Sequence, residues 1–274
     1  WLKLAAEQGH CEAQYSLGQK YTEDKSRHKD NEQAIFWLKK AALQGHTFAS
    51  NALGWTLDRG EAPNYKEAVV WYQIAAESGM SYAQNNLGWM YRNGNGVAKD
   101  YALAFFWYKQ AALQGYSDAQ NNLADLYEDG KGVAQNKTLA AFWYLKSAQQ
   151  GNRHAQFQIA WDYNAGEGVD QDYKQAMYWY LKAAAQGSVG AYVNIGYMYK
   201  HGQGVEKDYQ AAFEWFTKAA ECNDATAWYN LAIMYHYGEG RPVDLRQALD
   251  LYRKVQSSGT RDVSQEIRET EDLL

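Results

Sequence analysis

Several residue types in this chain could do chemistry, but their spacing argues against it. Gly-x-Gly occurs five times, first at Gly94 and Gly96, and such loops hold phosphate when they join a strand to a helix. Here each pair recurs between two segments with helical patterning, which predicts a repeated joint and no nucleotide site. The six histidines show neither HExxH spacing nor a Cys/His quartet, so no metal site is indicated.

The candidate nucleophiles are equally isolated. Cys11 has no evident general base, and no Gly-x-Ser-x-Gly elbow is present. Acidic residues are spread through loops without a pair in an apolar setting. We therefore predict no catalytic residues, no metal and no cofactor.

Tryptophan gives the first positive signal, because it recurs at a fixed period. The gaps are 34, 36, 36, 36 and 36 residues for Trp37, Trp71, Trp107, Trp143, Trp179 and Trp215. A period of this size indicates a solenoid of stacked supersecondary units. We expect these tryptophans to be core residues on the buried stripe of a helix.

Each period predicts two helices. In one repeat, Ala83, Leu87 and Tyr91 form an apolar stripe on the first helix, and Ala104 and Tyr108 do so on the second. Glycine follows the second helix in seven units and Asn223 in one, which suits a left-handed cap. We call Leu87 and its equivalents in the other repeats the column leucine. The small residue that follows it, such as Gly88, allows the helices to approach closely.

The motifs of this repeat point to a known family. They are Leu87-Gly88-x-x-Tyr91-x-x-Gly94-x-Gly96-Val97 and Ala104-x-x-Trp107-Tyr108-x-x-Ala111-Ala112-x-x-Gly115. The pattern closely resembles the Sel1-like repeat family, relatives of the tetratricopeptide repeats, over nearly the whole chain. The resemblance implies an all-α, right-handed superhelical solenoid of antiparallel helix pairs that binds proteins or peptides, with no shared catalytic residues.

We predict one solenoid over residues 1–274. A half repeat at 1–12 holds only a second helix, and a polar capping helix at 263–274 closes the array. Between them lie seven repeats at 13–48, 49–82, 83–118, 119–154, 155–190, 191–226 and 227–262. The first repeat has a charged segment, 24–30, in place of the glycine loop. The start at Trp1, inside a second helix, indicates upstream residues, so the compartment stays open between bacterial cytoplasm, periplasm and export.

Composition narrows the classes of partner. The net charge is −5 and no basic stripe appears, which disfavours nucleic acid. No apolar run approaches the roughly 18 residues of a membrane span. Cys11 and Cys222 lie six repeats apart, too far for a disulfide when repeats contact only neighbours. The oligomeric state is unknown, and we assume a monomer.

A partner is expected on the first helices, which by resemblance line the concave surface. At about 100° per residue, positions five and two before and two and five after the column leucine point away from the core. We call this surface the first-helix face. The predicted partner-binding residues on it are Tyr15, Asn51, Trp55, Asp58, Tyr82, Asn85, Trp89, Arg92, Asn121, Asp125, Glu128, His154, Phe157, Trp161, Asn164, Tyr197, Lys200 and Tyr229.

Aromatic residues are the main feature of this face. Trp55, Trp89 and Trp161 lie outside the tryptophan period, and tryptophan and tyrosine are enriched at binding hot spots. We therefore interpret them as contacts for a partner. The alternative is that they pack against neighbouring first helices.

Polar residues also recur on this face. Asn51, Asn85 and Asn121 stand in register and could hold an extended peptide backbone, or bridge repeats through local hydrogen bonds. Asp125 and Glu128, with Asp118, would favour Lys or Arg in a ligand, or form a solvated face.

These observations favour a non-catalytic scaffold that binds a protein or peptide segment along its concave face. The resemblance leaves two narrower alternatives: a bacterial immunity protein that neutralises a specific toxin or effector, or an exported factor that engages a host protein. An enzyme ranks last, because no nucleophile motif supports one.

Overall fold

A computed structural model describes residues 1–23, 31–60 and 62–274. Within these ranges the chain forms sixteen α-helices and no strand, which confirms the all-α class. The predicted charged segment 24–30 lies outside the described residues. The helices are α1 (Leu2–Glu7), α2 (Cys11–Glu23), α3 (Asn31–Leu43), α4 (Thr47–Asp58), α5 (Tyr65–Glu77), α6 (Ser81–Asn93), α7 (Tyr101–Leu113), α8 (Ser117–Asp129), α9 (Lys137–Gln149), α10 (Arg153–Ala165), α11 (Tyr173–Ala185), α12 (Val189–His201), α13 (Tyr209–Glu221), α14 (Ala225–Tyr237), α15 (Leu245–Ser258) and α16 (Ser264–Asp272).

The helices fall into pairs, as the period predicts. The first helices of the repeats are α2, α4, α6, α8, α10, α12 and α14, and the odd-numbered helices are the second helices. Contacts run mainly between helices that are consecutive in the chain, as in a solenoid. The exact repeat boundaries given above stay a prediction.

Caps explain where many helices begin and end. The Asp100 carboxylate accepts hydrogen bonds from the backbone N–H of Ala102 and Leu103 at 2.8 and 2.9 Å, which satisfies free donors at the start of α7. Gly94 ends α6 in the left-handed region with φ of 76°. Asn223, predicted to replace a cap glycine, has φ of 61°.

The Gly-x-Gly loops are joints between helices. A Cβ added to Gly132 would lie 2.2 Å from the carbonyl oxygen of Tyr101, at the start of the preceding second helix. Only glycine permits this backbone approach. The loop therefore packs directly against the backbone of the preceding second helix.

The chain divides into two compact units, Trp1–Trp143 (unit 1) and Tyr144–Leu274 (unit 2). The core of unit 1 contains Leu53, Tyr72, Leu87 and Met90. Unit 2 has one core cluster around Phe216 and Met234. A second cluster joins Ala232, Tyr252, Val255 and Val263 beside α16.

The expectation that all six periodic tryptophans are core residues is wrong for half of them. Trp37, Trp71 and Trp179 are buried, whereas Trp107, Trp143 and Trp215 are half-buried. The deepest aromatic is the next residue along the second helix, namely Tyr72, Tyr108, Tyr144, Tyr180 and Phe216.

A small residue on the first helix leaves room for this aromatic ring. A Cβ at Gly88 would lie 2.8 Å from the Tyr108 ring, and one at Gly54 would lie equally close to Tyr72. Tyr72 and Tyr108, which directly follow periodic tryptophans, therefore take the space that the small residue leaves. The tryptophan lies to one side, and Phe106 packs edge-on against Trp107 with ring centroids 4.9 Å apart.

A row of buried glutamines links consecutive repeats. The Gln84 amide donates to the carbonyl oxygen of Ala76 at 3.2 Å, and Gln114 donates to the Gln84 amide oxygen at 2.8 Å. Gln156 repeats the arrangement in unit 2, donating to Ala148 and accepting from Gln186. These amides satisfy carbonyls at helix ends, which would otherwise be buried without a partner.

The C-terminal helix α16 packs at the position of a further first helix. Thr270 is fully buried, donates to the Glu266 carbonyl and lies 3.1 Å from His236 Nδ1. Within the described part of the chain, no helix is long and apolar enough to cross a bilayer.

Candidate functional site

The off-period tryptophans lie on the open surface of the first helices. In unit 1, Trp55 on α4 is 37% exposed and Trp89 on α6 is 42% exposed. Tyr82 is also exposed and its ring centroid lies 4.6 Å from that of Tyr116. In unit 2, Trp161 on α10 is 46% exposed. The structure thus leaves large aromatic rings in contact with solvent, where they contribute little to the core.

A charged cluster lies beside Trp55. The guanidinium carbon of Arg59 lies 5.1 Å from the Trp55 ring centroid, and Arg59 Nε is 3.6 Å from Asp58 Oδ1. Tyr72, from the following second helix, donates its hydroxyl to Asp58 Oδ2 at 2.8 Å. Burial raises the pKa of Asp58, and the Tyr72 hydrogen bond and the Arg59 charge offset this only in part.

Two small pockets flank Arg59. One, of about 140 Å³, is lined by Asp58, Arg59, Asn85, Asn86 and Trp89. The other is lined by Thr22, Asn31, Trp55, Thr56 and Arg59. Three predicted residues, Asp58, Asn85 and Trp89, are therefore brought together at one concavity.

The asparagine row lies between helices. Asn86 donates to the Asn51 amide oxygen at 3.2 Å, and Asn122 donates to that of Asn85 at 2.9 Å. Asn85 and Asn121 are buried, because the neighbouring first helix covers a position that a single-helix projection places outward. The observed bonds match the alternative reading, in which asparagines bridge repeats.

The predicted charged residues of unit 1 are paired. Arg92 Nη1 lies 3.1 Å from Asp125 Oδ2, and Glu128 lies 3.6 Å from Lys137. Asp118 accepts a hydrogen bond from the Tyr116 hydroxyl at 3.0 Å. Two of the three acidic residues, Asp125 and Glu128, are therefore paired with cations of the protein itself.

At the start of unit 1, Tyr15 also has neighbours within the fold. Gln19 donates to its hydroxyl at 2.6 Å, and its ring lies 4.5 Å from that of His46. His46 precedes α4, and its Nδ1 accepts from the backbone N–H of Ala49. Tyr15 thus serves packing between the first two repeats.

Unit 2 has a second concavity on this face. Its volume is about 370 Å³ and its lining includes Arg153, His154, Phe157, Val189 and Gly190. A Cβ on Gly190 would lie 2.9 Å from Phe157, so the glycine keeps this ring in place. The predicted residues Trp161 and Asn164 follow on the same helix, α10.

The remaining predicted residues of unit 2 are engaged internally. Lys200 lies 2.7 Å from Glu239 Oε2, and Tyr197 accepts a hydrogen bond from Asn230. Tyr229 donates to Glu266 of α16 at 3.3 Å. These contacts assign the three residues to joints between repeats and to the cap.

Sequence reasoning missed an apolar row on the second helices. Its members immediately precede five of the six periodic tryptophans, and each is about half exposed: Phe36, Val70, Phe106 and Phe142 in unit 1 and Tyr178 in unit 2. The signal was present in the sequence, since these apolar residues keep the tryptophan period.

Comparison with protein families decides the classification. The Sel1 repeat model matches residues 1–10, 11–46, 47–80, 81–116, 117–152, 153–188, 189–224 and 225–254. The chain belongs to the Sel1 repeat family. Sel1 repeat proteins are generally protein-interaction scaffolds and are generally non-catalytic.

Solved structures of bacterial Sel1 repeat proteins resemble this chain, in agreement with the family assignment. A protective antigen of uropathogenic Escherichia coli matches with a TM-score of 0.88 at 36% identity, covering 94% of this chain and 56% of its own. This chain thus spans little more than half of that protein. A Sel1 repeat protein from Oxalobacter formigenes matches with a TM-score of 0.72 at 33% identity, covering 78% of this chain and 86% of its own.

A more distant structure shares the fold alone. The Cut9–Hcn1 hetero-tetramer of the APC/C matches with a TM-score of 0.52 at 13% identity, covering 98% of this chain and 48% of its own. Together with the helix pairs described above, these likenesses confirm the solenoid fold that the repeat pattern predicts.

Proposed function

We propose that this Sel1 repeat protein is a non-catalytic scaffold that binds a protein or peptide segment along its first-helix face. The observation that carries the proposal is the exposure of Trp55, Trp89 and Trp161 on that face. Exposed tryptophans in such positions supply large contact areas at interfaces. They contribute little to the core, which is filled instead by the buried tyrosines of the second helices, Tyr72, Tyr108, Tyr144 and Tyr180. We call these four residues the tyrosine column.

The surroundings of these tryptophans support the proposal. In unit 1, Trp89 borders a concavity that is also lined by Asp58, Arg59 and Asn86. In unit 2, the concavity beside Phe157 lies on the helix that carries Trp161. An aromatic anchor beside convergent polar groups is the arrangement expected of a recognition site. The helices exist before binding, so little ordering cost accompanies association.

The same surface disfavours nucleic acid as the partner. The net charge is −5, and Arg92 and Lys200 on the first-helix face are paired with Asp125 and Glu239. Phosphate binding requires unpaired cations along a face. We propose a protein partner for a monomeric scaffold.

The test begins with affinity capture of the partner and its purification. Calorimetry then compares the wild type with Trp89→Ala and Trp161→Ala. We expect each change to weaken binding at least tenfold, while helicity and melting temperature change little. Phe106→Ala removes a similarly exposed ring from a second helix and serves as the matched control, with unchanged affinity expected. Equal losses for all three variants, or collapse of the fold in the tryptophan variants, would refute the assignment.

A host-directed, exported factor is the second candidate function. It is favoured by the 36% identical relative described as a protective antigen. Detection of the protein outside its bacterium, bound to a host protein through the same face, would support this version. A tight one-to-one complex with the product of a neighbouring gene would support the immunity role instead.

A further inference from the structure

We propose that Arg59 occupies an arginine-binding subsite of unit 1, and that an arginine side chain of the bound segment replaces it. The subsite consists of Trp55, Asp58 and Trp89, and we call it the Arg59 subsite. The inference rests on the proposed scaffold function and specifies one side chain that the partner carries.

The first support is an incompletely satisfied carboxylate. Asp58 is 8% exposed at its side chain, and Tyr72 uses only its Oδ2. Oδ1 is buried without a hydrogen bond, because Arg59 Nε stays 3.6 Å away, beyond hydrogen-bond distance. A buried carboxylate oxygen without a donor favours binding of a cation with N–H groups.

The second support is the geometry of Arg59 itself. Its guanidinium carbon lies 5.1 Å from the Trp55 ring centroid, within the range of a cation–π contact. The surface beside Trp55 and Asp58 therefore already accommodates a guanidinium group. Arg59 is 65% exposed, and exposed ion pairs of this kind are weak, so an incoming group can displace it.

The third support is the position of Arg59 between two pockets. It lines both the pocket beside Trp89 and the pocket beside Trp55. Movement of its side chain would join them into one cleft that runs from Trp55 past the Asp58 carboxylate to Trp89. A planar guanidinium suits this cleft better than an ammonium group, because it stacks on indole and donates in the plane of the carboxylate.

The test uses a small probe and needs no partner. N-acetyl-arginine-methylamide is titrated into the protein, and the NMR signals of the tryptophan indole N–H groups report binding. We expect Arg59→Ala to bind the probe at least threefold more tightly than the wild type, with shifts at Trp55 and Trp89. The citrulline analogue, which has the same shape without the charge, should not bind.

Two further variants keep the test decisive. Arg59→Ala combined with Asp58→Asn should lose the gain in affinity, and Arg59→Ala combined with Trp55→Ala provides a second loss in case the first misfolds. Arg253→Ala is the matched control, because Arg253 is a similarly exposed arginine paired with Glu271 on other helices. Wild-type affinity in Arg59→Ala, or tight binding that persists in both double variants, would overturn the proposal.

The two proposals fail in different ways. Absence of probe binding would remove the Arg59 subsite but leave partner binding through Trp161 of unit 2 untouched. Partner affinity that ignores Trp89→Ala and Trp161→Ala would remove the scaffold assignment, whatever the probe does.

Discussion

At the scale of single residues, the tyrosine column shows that equivalent buried tyrosines differ in the hydrogen bonding of their hydroxyl groups. Tyr72 and Tyr180 are both fully buried. The Tyr72 hydroxyl donates to Asp58 at 2.8 Å, whereas the Tyr180 hydroxyl has no hydrogen-bond partner in the described structure. The ring is buried to the same extent in both repeats, and the two residues differ in whether the hydroxyl has a hydrogen-bond acceptor.

This contrast predicts opposite results for one substitution. Tyr72→Phe should lower the free energy of unfolding by about 1.5–3 kcal/mol, because it removes a hydrogen bond to a charged acceptor. Tyr180→Phe should be neutral or slightly stabilising, because it removes a buried group that lacks a partner. Urea unfolding followed by circular dichroism measures both. An equal loss in the two variants would show that Tyr180 also has a partner.

Asp58 gives a prediction for the effect of pH. Burial raises its pKa above the ordinary value of 3.8 in the folded protein, so folding favours the protonated form. The stabilising contribution is complete below pH 3.8 and is lost as the pH rises through the folded pKa. The stability of Asp58→Asn relative to the wild type should therefore increase over this window.

Asp262 provides the control for that measurement. Hydrogen bonds from Ser264 lower its pKa in the folded protein. Its stabilising contribution is present above the ordinary pKa and is lost as the pH falls through the folded value. Asp262→Asn should thus differ most from the wild type at neutral pH. A pH profile with the same sign for both variants would contradict the burial of Asp58.

At the scale of helices, amides of buried glutamines connect several of the repeats to their neighbours. Gln84 lies three residues before the column leucine and both donates and accepts hydrogen bonds with the preceding and following second helices. In the second repeat this position is Ser50, whose hydroxyl donates at 3.4 Å to the carbonyl oxygen of His46, the N-cap residue of the same helix. The polar side chain at this position therefore connects helices in the third repeat but makes only a local hydrogen bond in the second.

We expect Gln84→Ala to cost about 1–3 kcal/mol of unfolding free energy, because it leaves the buried Ala76 carbonyl without its side-chain donor. Ser50→Ala, at the equivalent position, should cost less than about 1 kcal/mol. Chemical denaturation of both variants and the wild type in the same buffer measures these free energies of unfolding. A loss in Gln84→Ala no larger than that in Ser50→Ala would contradict a stabilising role for the Gln84 amide.

Much of the helical architecture could be predicted from the sequence, because period, caps and apolar stripes are local. The pairing of helices, the glycine joints and the left-handed Asn223 all follow from them. Contacts between repeats could not be predicted in this way. A projection of one helix places Asn85 outward, but it ignores the neighbouring helix that covers it.

The residues of the candidate site also fall into those whose environment follows from local spacing and those whose environment depends on contacts between repeats. The exposure of Trp55, Trp89 and Trp161 agrees with the projection, since no neighbouring helix covers them fully. The pairing of Lys200 with Glu239 depends on the distance between a helix and the next glycine loop. Such tertiary distances are not encoded in the spacing of residues along the chain.

At the scale of the whole molecule, the protein is an array of Sel1 repeats that leaves two exposed apolar features within unit 1. One is the aromatic set of the first helices, and the other is the row before the periodic tryptophans on the second helices. We assign partner binding to the first set. Because both sets are exposed before binding, a loss of solvent access in the complex shows which set the partner covers.

Hydroxyl-radical footprinting of the purified complex reads both sets in one measurement. We predict that the partner lowers the oxidation of Trp55, Trp89 and Trp161 severalfold, while Phe106, Phe142 and Tyr178 on the second helices keep the reactivity of the free protein. Protection of the second-helix row, with the three tryptophans as reactive as before, would contradict the central claim.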